Sequence, residues 1–252
     1  MEALIMAAGY GRRLYPLTKD YPKPLLKVKD RPIIDYIISK LEKSKEIKKI
    51  WVITNNKFFP IFIKWKKNLN FKKNLTLIND LTCSYAQRRG ALADIKFAID
   101  RKKIKDDLLI IGGDNLFDED LEGFISYIKK KRKHFIVGLY ALKDKRYAKY
   151  YGVVKINQKK EIVDFQEKPR FPKSNLICMC LYYFPKEKFF LLDEYLNNQK
   201  NLSDATGNFI MWLYQREKIY SYIFRGIWYD IGGHRFLKEA NRIFTLKEGT
   251  YD

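Results

Sequence analysis

The chain has 252 residues, 46% of them hydrophobic, enough for one large folded α/β unit and too apolar for an intrinsically disordered segment. Its 50 Lys and Arg against 29 Asp and Glu give a net charge of +21, but these charges are scattered as on solvated helix faces, which argues against a polynucleotide groove and for capture of small anions. No apolar run reaches the ~18 residues of a membrane span, and the three scattered cysteines, Cys83, Cys178 and Cys180, exclude a disulfide framework.

In chain order, Ala3 to Ala8 is too short for a helix and predicts a buried first strand running into a turn at Gly9 and Gly11. No positively charged leader precedes this strand, so the expected compartment is the cytoplasm. Ile33, Ile34, Tyr36, Ile37, Ile38 and Leu41 form a broad helical face over residues 32–42, with Asp30 as a capping candidate. Residues 50–53 predict a strand, 58–65 the start of a helix, 75–78 a strand, 91–99 a helix, and 108–111 a strong buried strand. This rhythm means βαβ units and a Rossmann-like mixed, mostly parallel sheet flanked by helices. Beyond about residue 134 the pattern turns β-rich over 135–142, 152–156, 161–165 and 176–184. Helical spacing returns at 186–196, 208–215 and 236–244. No repeat or linker interrupts the chain, so the expectation is one domain over 1–252, with halves of about 1–133 and 134–252.

A glycine pair just past a strand lets backbone N–H groups approach a ligand. Here Gly9 and Gly11 are followed by Arg13, and Lys23 stands between Pro22 and Pro24. Amides, a guanidinium fork and an ammonium suit a polyanion such as a nucleotide triphosphate. Leu14 occupies the place of a third glycine and no Walker A lysine follows, so neither a dinucleotide fingerprint nor a P-loop is indicated; a plain turn is the alternative. The strand at 108–111 ends in Gly112-Gly113-Asp114-Asn115, a site for a Mg²⁺ ligand or for ordinary turn chemistry. Asp230 ends a buried aromatic run, where a carboxylate needs a partner, a metal or the helix beginning near His234 to cap. Cys178-Met179-Cys180 has the wrong spacing for a zinc pair and reads as buried reduced thiols.

Residues 9–18, with Pro22-Lys23-Pro24-Leu25, resemble the opening of the sugar-phosphate nucleotidylyltransferases, the family that includes glucose-1-phosphate thymidylyltransferases. Their pattern is Gly-x-Gly-x-Arg-Leu-x-Pro-Leu-Thr, and Arg12 departs from it by replacing a small residue, commonly threonine. The resemblance continues through Asp114, Tyr151-Gly152-Val153, Glu167-Lys168-Pro169 and Trp228-x-Asp230-x-Gly232, nearly the whole chain. It implies that Asp114 and Asp230 hold Mg²⁺ and that Ala8, Gly9, Gly11, Arg13 and Gly113 bind the nucleotide. It implies further that Gly152 lets the sugar approach the backbone, that Glu167 meets its hydroxyls, and that Lys168 meets the acceptor phosphate. Ser203-Asp204-Ala205 and Arg225-Gly226 are similar, less specifically, to other sugar-site segments. Residues 85–92 are similar to the segment that reads the base, which assigns Gln87 and Gly90 there. A glutamine amide suits thymine or uracil and, rotated, cytosine.

The implied reaction moves a nucleoside monophosphate from an NTP, dTTP or UTP favoured, to a sugar 1-phosphate with release of pyrophosphate. Arg13, Lys23, Asp114 and Lys168 are its expected catalytic residues. A cytidylyltransferase acting on a non-sugar phosphate such as phosphocholine, or a silent nucleotide-binding regulatory subunit, are the alternatives. Glu167 and Gly152 favour the sugar, and the retained Asp114, Asp230 and Arg13 favour catalysis. The chain ends about 20 residues after Asp230, which predicts no C-terminal β-helix and leaves a homo-oligomer open.

Overall fold

The computed structural model describes residues 1–198 and 205–248, so Ser203 and Asp204 lie outside the described residues. Strand β1 (Glu2–Met6) leads through a small hairpin, β2 (Lys27–Val28) and β3 (Arg31–Pro32), into helix α1 (Ile33–Lys43). Then follow β4 (Lys49–Thr54), α2 (Phe59–Lys67), β5 (Asn74–Asn79), α3 (Ala91–Lys102) and β6 (Leu108–Gly112). β1 pairs in parallel with β4 and β6, and β4 with β5, so the first half is the expected run of βαβ units.

After β7 (Asn115–Phe117) and α4 (Glu122–Lys130) come β8 (Phe135–Ala141), β9 (Gly152–Ile156), β10 (Ile162–Glu167) and β11 (Leu176–Phe184). The chain continues through α5 (Phe190–Asn198), α6 (Thr206–Leu213), β12 (Ile219–Phe224), β13 (Trp228–Asp230) and α7 (His234–Glu248). β11 runs antiparallel to both β6 and β8, which joins the two halves into one nine-stranded sheet. β7 and β13 form a separate two-stranded ribbon.

Alternation along the buried strands sorts the core into two layers. Ala3, Ile5, Val52 and Ile111 face α1, α2 and α4, packing on residues such as Ile37, Phe62 and Phe124. Leu4, Ile53 and Ile110 face α3, α5 and α6, packing on Ile95, Leu192 and Phe209. Helices on both faces leave the carboxyl ends of the parallel strands open, the usual place for a ligand in such sheets.

The structure differs from the sequence reading in three places. Pro32, not Asp30, caps α1, and no side chain bonds its first turn, because Asp30 is taken up in the β2–β3 hairpin turn beside left-handed Lys29. Lys186–Lys188 form a 3-10 turn rather than the first turn of α5. α4 and β12 carry no expectation from the sequence, and β12 extends the sheet by pairing in parallel with β8.

Candidate active site

The loop after β1 is held from both sides. Gly11 is left-handed (φ 61°), and a Cβ there would stand 3.0 Å from the Cβ of Thr18, whose hydroxyl donates to the Gly11 carbonyl at 2.7 Å. Tyr10 is buried, and its hydroxyl donates to the Thr82 carbonyl at 3.1 Å, tying this loop to the one after β5. The Ala8 carbonyl accepts from Asn55 Nδ2 at 2.9 Å, while Gly9 has nothing within 4 Å of where a Cβ would be. Arg13 is exposed and lines a cavity beside this loop.

Two distant carboxylates meet here. The β7–β13 ribbon pairs Asp230 with Asn115, and the Ile231 N–H donates to the Asp114 carbonyl at 3.2 Å. Asn115 is buried and accepts from Trp228 Nε1 at 2.7 Å, which locks the ribbon's register. Gly113 donates to the Met6 carbonyl at 2.9 Å, and a Cβ there would stand 2.8 Å from that oxygen, so glycine lets the Asp114 turn lie against the end of β1. Lys23, on a 3-10 turn between prolines, reaches Asp114 Oδ2 at 2.5 Å and Asp230 Oδ1 at 3.7 Å.

Burial opposes the charge of Asp114, but Lys23, with Arg13 behind it, outweighs burial and holds this carboxyl below the usual range. Burial and then the neighbouring Asp114 charge push Asp230 up. Such a pair calls for a cation. The donors are hard oxygens, and among the described residues no cluster of three or more His, Cys, Asp or Glu side chains forms. That set fits a divalent ion that completes its shell with water and phosphate, not one caged by protein.

Tyr151, which feels the Asp230, Arg13 and Asp114 charges, leads into the residues expected for the acceptor. Gly152 pairs with Glu167 across β9 and β10, and a Cβ at Gly152 would stand 3.2 Å from Glu167 Oε2. Lys168 is left-handed (φ 45°), donates its N–H to the Tyr151 carbonyl at 3.1 Å, and carries an exposed ammonium 3.5 Å from Glu167. Burial raises the Glu167 pKa against the pull of Lys168.

Three residues here carried no expectation of a place at the site. Gly207, in α6, admits the Glu167 carboxylate. Thr206 shares a 2.9 Å hydrogen bond with the Tyr182 hydroxyl. Cys180 is left-handed (φ 54°) at an irregularity of β11, and burial with the Asp114 and Asp230 charges pushes its thiol up to about 12.

The base-side residues part company. Gly90 (φ 90°) starts α3, where only glycine turns without strain. Gln87 lies on an exposed 3-10 turn, and its Oε1 accepts from the Cys83 N–H at 3.1 Å. A cavity of about 380 Å³ is lined by Lys23, Asp114, Gly9, Gly11, Arg13 and Tyr85, without Gln87 among its lining residues.

An open α/β sheet with this cluster at its carboxyl edge defines a nucleotide-handling α/β protein. The chain belongs to the nucleotidyl transferase family, whose model matches residues 2–246. It is 31% identical over 254 residues to the bifunctional protein GlmU of Methanocaldococcus jannaschii, covering 99% of this chain and 56% of that protein. It is 27% identical over 258 residues to a glucose-1-phosphate adenylyltransferase of Bacillus cytotoxicus, covering 95% of this chain and 66% of that enzyme. The chain thus spans about half to two thirds of the length of these curated relatives. Its fold matches a UDP-glucose pyrophosphorylase solved with UDP-glucose, with a TM-score of 0.80, 22% identity, and coverage of 98% of each chain.

Proposed function

We propose that the chain transfers a nucleoside monophosphate from an NTP to a sugar 1-phosphate, forming a nucleotide sugar and pyrophosphate, with dTTP or UTP as the favoured donor. In this reading residues 1–252 act as one catalytic domain, nucleotide-binding over about 1–133 and sugar-phosphate-binding over about 134–252. The observation that carries it is the meeting of Lys23, Asp114 and Asp230 in one cluster, lined by Gly9, Gly11 and Arg13 of the glycine loop and felt electrostatically by Tyr151, whose carbonyl accepts from the Lys168 N–H.

The chemistry asks little of the protein as acid or base. A phosphate oxygen of the sugar 1-phosphate is ionised at neutral pH, so it attacks the α-phosphorus without a general base. One O–P bond forms as the bridging bond to the β-phosphate breaks, and pyrophosphate leaves with the electron pair. Catalysis then rests on alignment and charge neutralisation. Arg13 and the amides from Gly9 to Gly11 bind the departing phosphates, Lys23 neutralises the reacting ones, and Lys168 aims the nucleophile beside Glu167, which takes the sugar hydroxyls. Mg²⁺ held by Asp114 and Asp230 would supply Lewis-acid charge stabilisation. Ala8, Gly90 and Gly113 shape the nucleotide side through backbone packing. Gln87 keeps an amide N–H₂ free of the Cys83 contact made by its oxygen, a donor for a pyrimidine carbonyl.

The test is pyrophosphate release across a panel of NTPs and phosphorylated acceptors. Turnover with a sugar 1-phosphate supports the reading, and turnover only with phosphocholine or with no acceptor overturns it.

A further inference from the structure

We propose that Lys23 is an exchangeable counter-ion: its ammonium and the divalent cation compete for Asp114 and Asp230, and the phosphates of the NTP free these carboxylates by drawing the ammonium away. This rests on the metal and nucleotide assignments above. Lys23 Nζ lies 2.5 Å from Asp114 Oδ2 and 3.7 Å from Asp230 Oδ1, so one ammonium holds one oxygen of each carboxylate. The other two oxygens lie beside glycines. A Cβ would stand 3.0 Å from Asp114 Oδ1 at Gly112 and 3.4 Å from Asp230 Oδ2 at Gly232. A cation bridging the pair therefore contends for the oxygens that converge on Lys23. The Lys23 side chain is only 11% exposed, so water screens its ammonium poorly from a divalent ion at the same carboxylates.

The backbone of Lys23 is fixed and its stem is not. The Leu25 N–H donates to the Pro22 carbonyl and the Leu26 N–H to the Lys23 carbonyl, each at 3.0 Å. Leu25 is buried, and Pro24 Cγ would stand 3.1 Å from a Cβ at Gly113, which seats the turn against the loop that carries Asp114. What can move is the four-carbon stem, whose ammonium is a compact charge with no fixed fork geometry. An arginine would bind the carboxylates as a planar clamp and resist the exchange. Lys23 also lines the cavity that Gly9, Gly11 and Arg13 line, the place assigned above to the phosphates. The ammonium thus changes partners by rotation about its stem, with no movement of the main chain.

The exchange couples the two ligands. Metal alone must displace the ammonium from both carboxylates, whereas a metal–NTP complex brings the phosphates that receive it. Each ligand then strengthens the other's binding by the same factor, as linkage requires. Until that complex arrives, the ammonium spares two partly buried carboxylates the cost of facing each other without a cation.

Mn²⁺ binding without nucleotide, read by calorimetry, should be compared in wild type, Lys23→Met and Arg13→Met. Methionine keeps an unbranched stem and removes the rival charge, so Lys23→Met should bind Mn²⁺ about tenfold tighter or more, the usual size of a coupling between ligands. The Arg13 charge reaches both carboxylates, so Arg13→Met controls for a general loss of positive field and should gain much less. The gain should vanish in Lys23→Met/Asp114→Asn. Lys23→Met no tighter than wild type, or an equal gain in Arg13→Met, overturns the exchange. A gain that survives Asp114→Asn places the ion elsewhere and overturns the metal reading with it. Should Lys23→Met not fold, wild type decides: acetylation of Lys23, followed by mass spectrometry, should quicken severalfold when Mg²⁺ is saturating, and equal rates overturn the proposal.

Discussion

Gly207→Ala offers a test of the acceptor site worked from a distance. A Cβ at residue 207 would stand 1.7 Å from Glu167 Oε2 and 3.3 Å from Phe165 Cζ, where ordinary contact begins at 3.4 Å. The carboxylate, at the free end of its side chain, must therefore retreat by about 1.7 Å. A hydrogen bond of ordinary length stretched by that amount no longer exists. Losing one bond between a charged acceptor and a sugar hydroxyl is worth roughly 1.5–3 kcal/mol, or roughly ten- to a hundredfold in kcat/KM for the sugar phosphate. Alanine is the better helix former by about 0.8–1.0 kcal/mol, which offsets the tight contact at Phe165, so the melting temperature should move by no more than about 4 °C. The assay is steady-state pyrophosphate release with each substrate varied in turn. Sugar-phosphate kcat/KM should fall while the NTP KM holds. A variant with unaltered melting and sugar-phosphate kcat/KM within twofold of wild type would refute the placement of Glu167 against the sugar.

Asp114→Asn and Asp230→Asn should each lower turnover roughly a thousandfold with little change in melting; near-normal rates in millimolar Mg²⁺ would end the metal assignment. Arg13→Ala should cost about a hundredfold in turnover, as for one donor to developing charge, and a change in stability alone would make it structural. Lys168→Ala should raise the sugar-phosphate KM or lower turnover while NTP affinity, read by calorimetry, stays nearly intact. Because Asp230 is pushed up to about 6 and a metal needs it deprotonated, divalent-cation affinity should fall about tenfold per pH unit below that value and level off above it. Affinity constant from pH 5 to pH 8 would contradict this.

Much of the first half was legible because its signals are local. Leu108 to Ile111 is apolar without a break, and all of β6 is buried in the sheet as such a run requires. The Gly11 turn announces itself because its left-handed backbone and the Thr18 contact demand glycine. α4 was masked by Gly123, a poor helix residue that is there because a Cβ would stand 2.4 Å from the Tyr222 hydroxyl on β12. That reason lies almost a hundred residues away along the chain.

Motif and spacing by themselves determined the strand–loop–cation order of the nucleotide side and named the two aspartates. They could not say that Asp114 and Asp230 share one ammonium, because only the β7–β13 ribbon, registered by Asn115 and Trp228, brings those positions together. Nor could they say which residue of the 85–90 segment looks into the cavity. Gln87 and Tyr85 are two residues apart on one 3-10 turn, and the choice between them falls to the packing of Tyr10 against Tyr85 and the bond from Cys83 to Gln87. Sequence sets which chemistry the chain carries, whereas long-range packing sets which side chains share a volume, since the energy of a contact exists only once the distant partner has arrived.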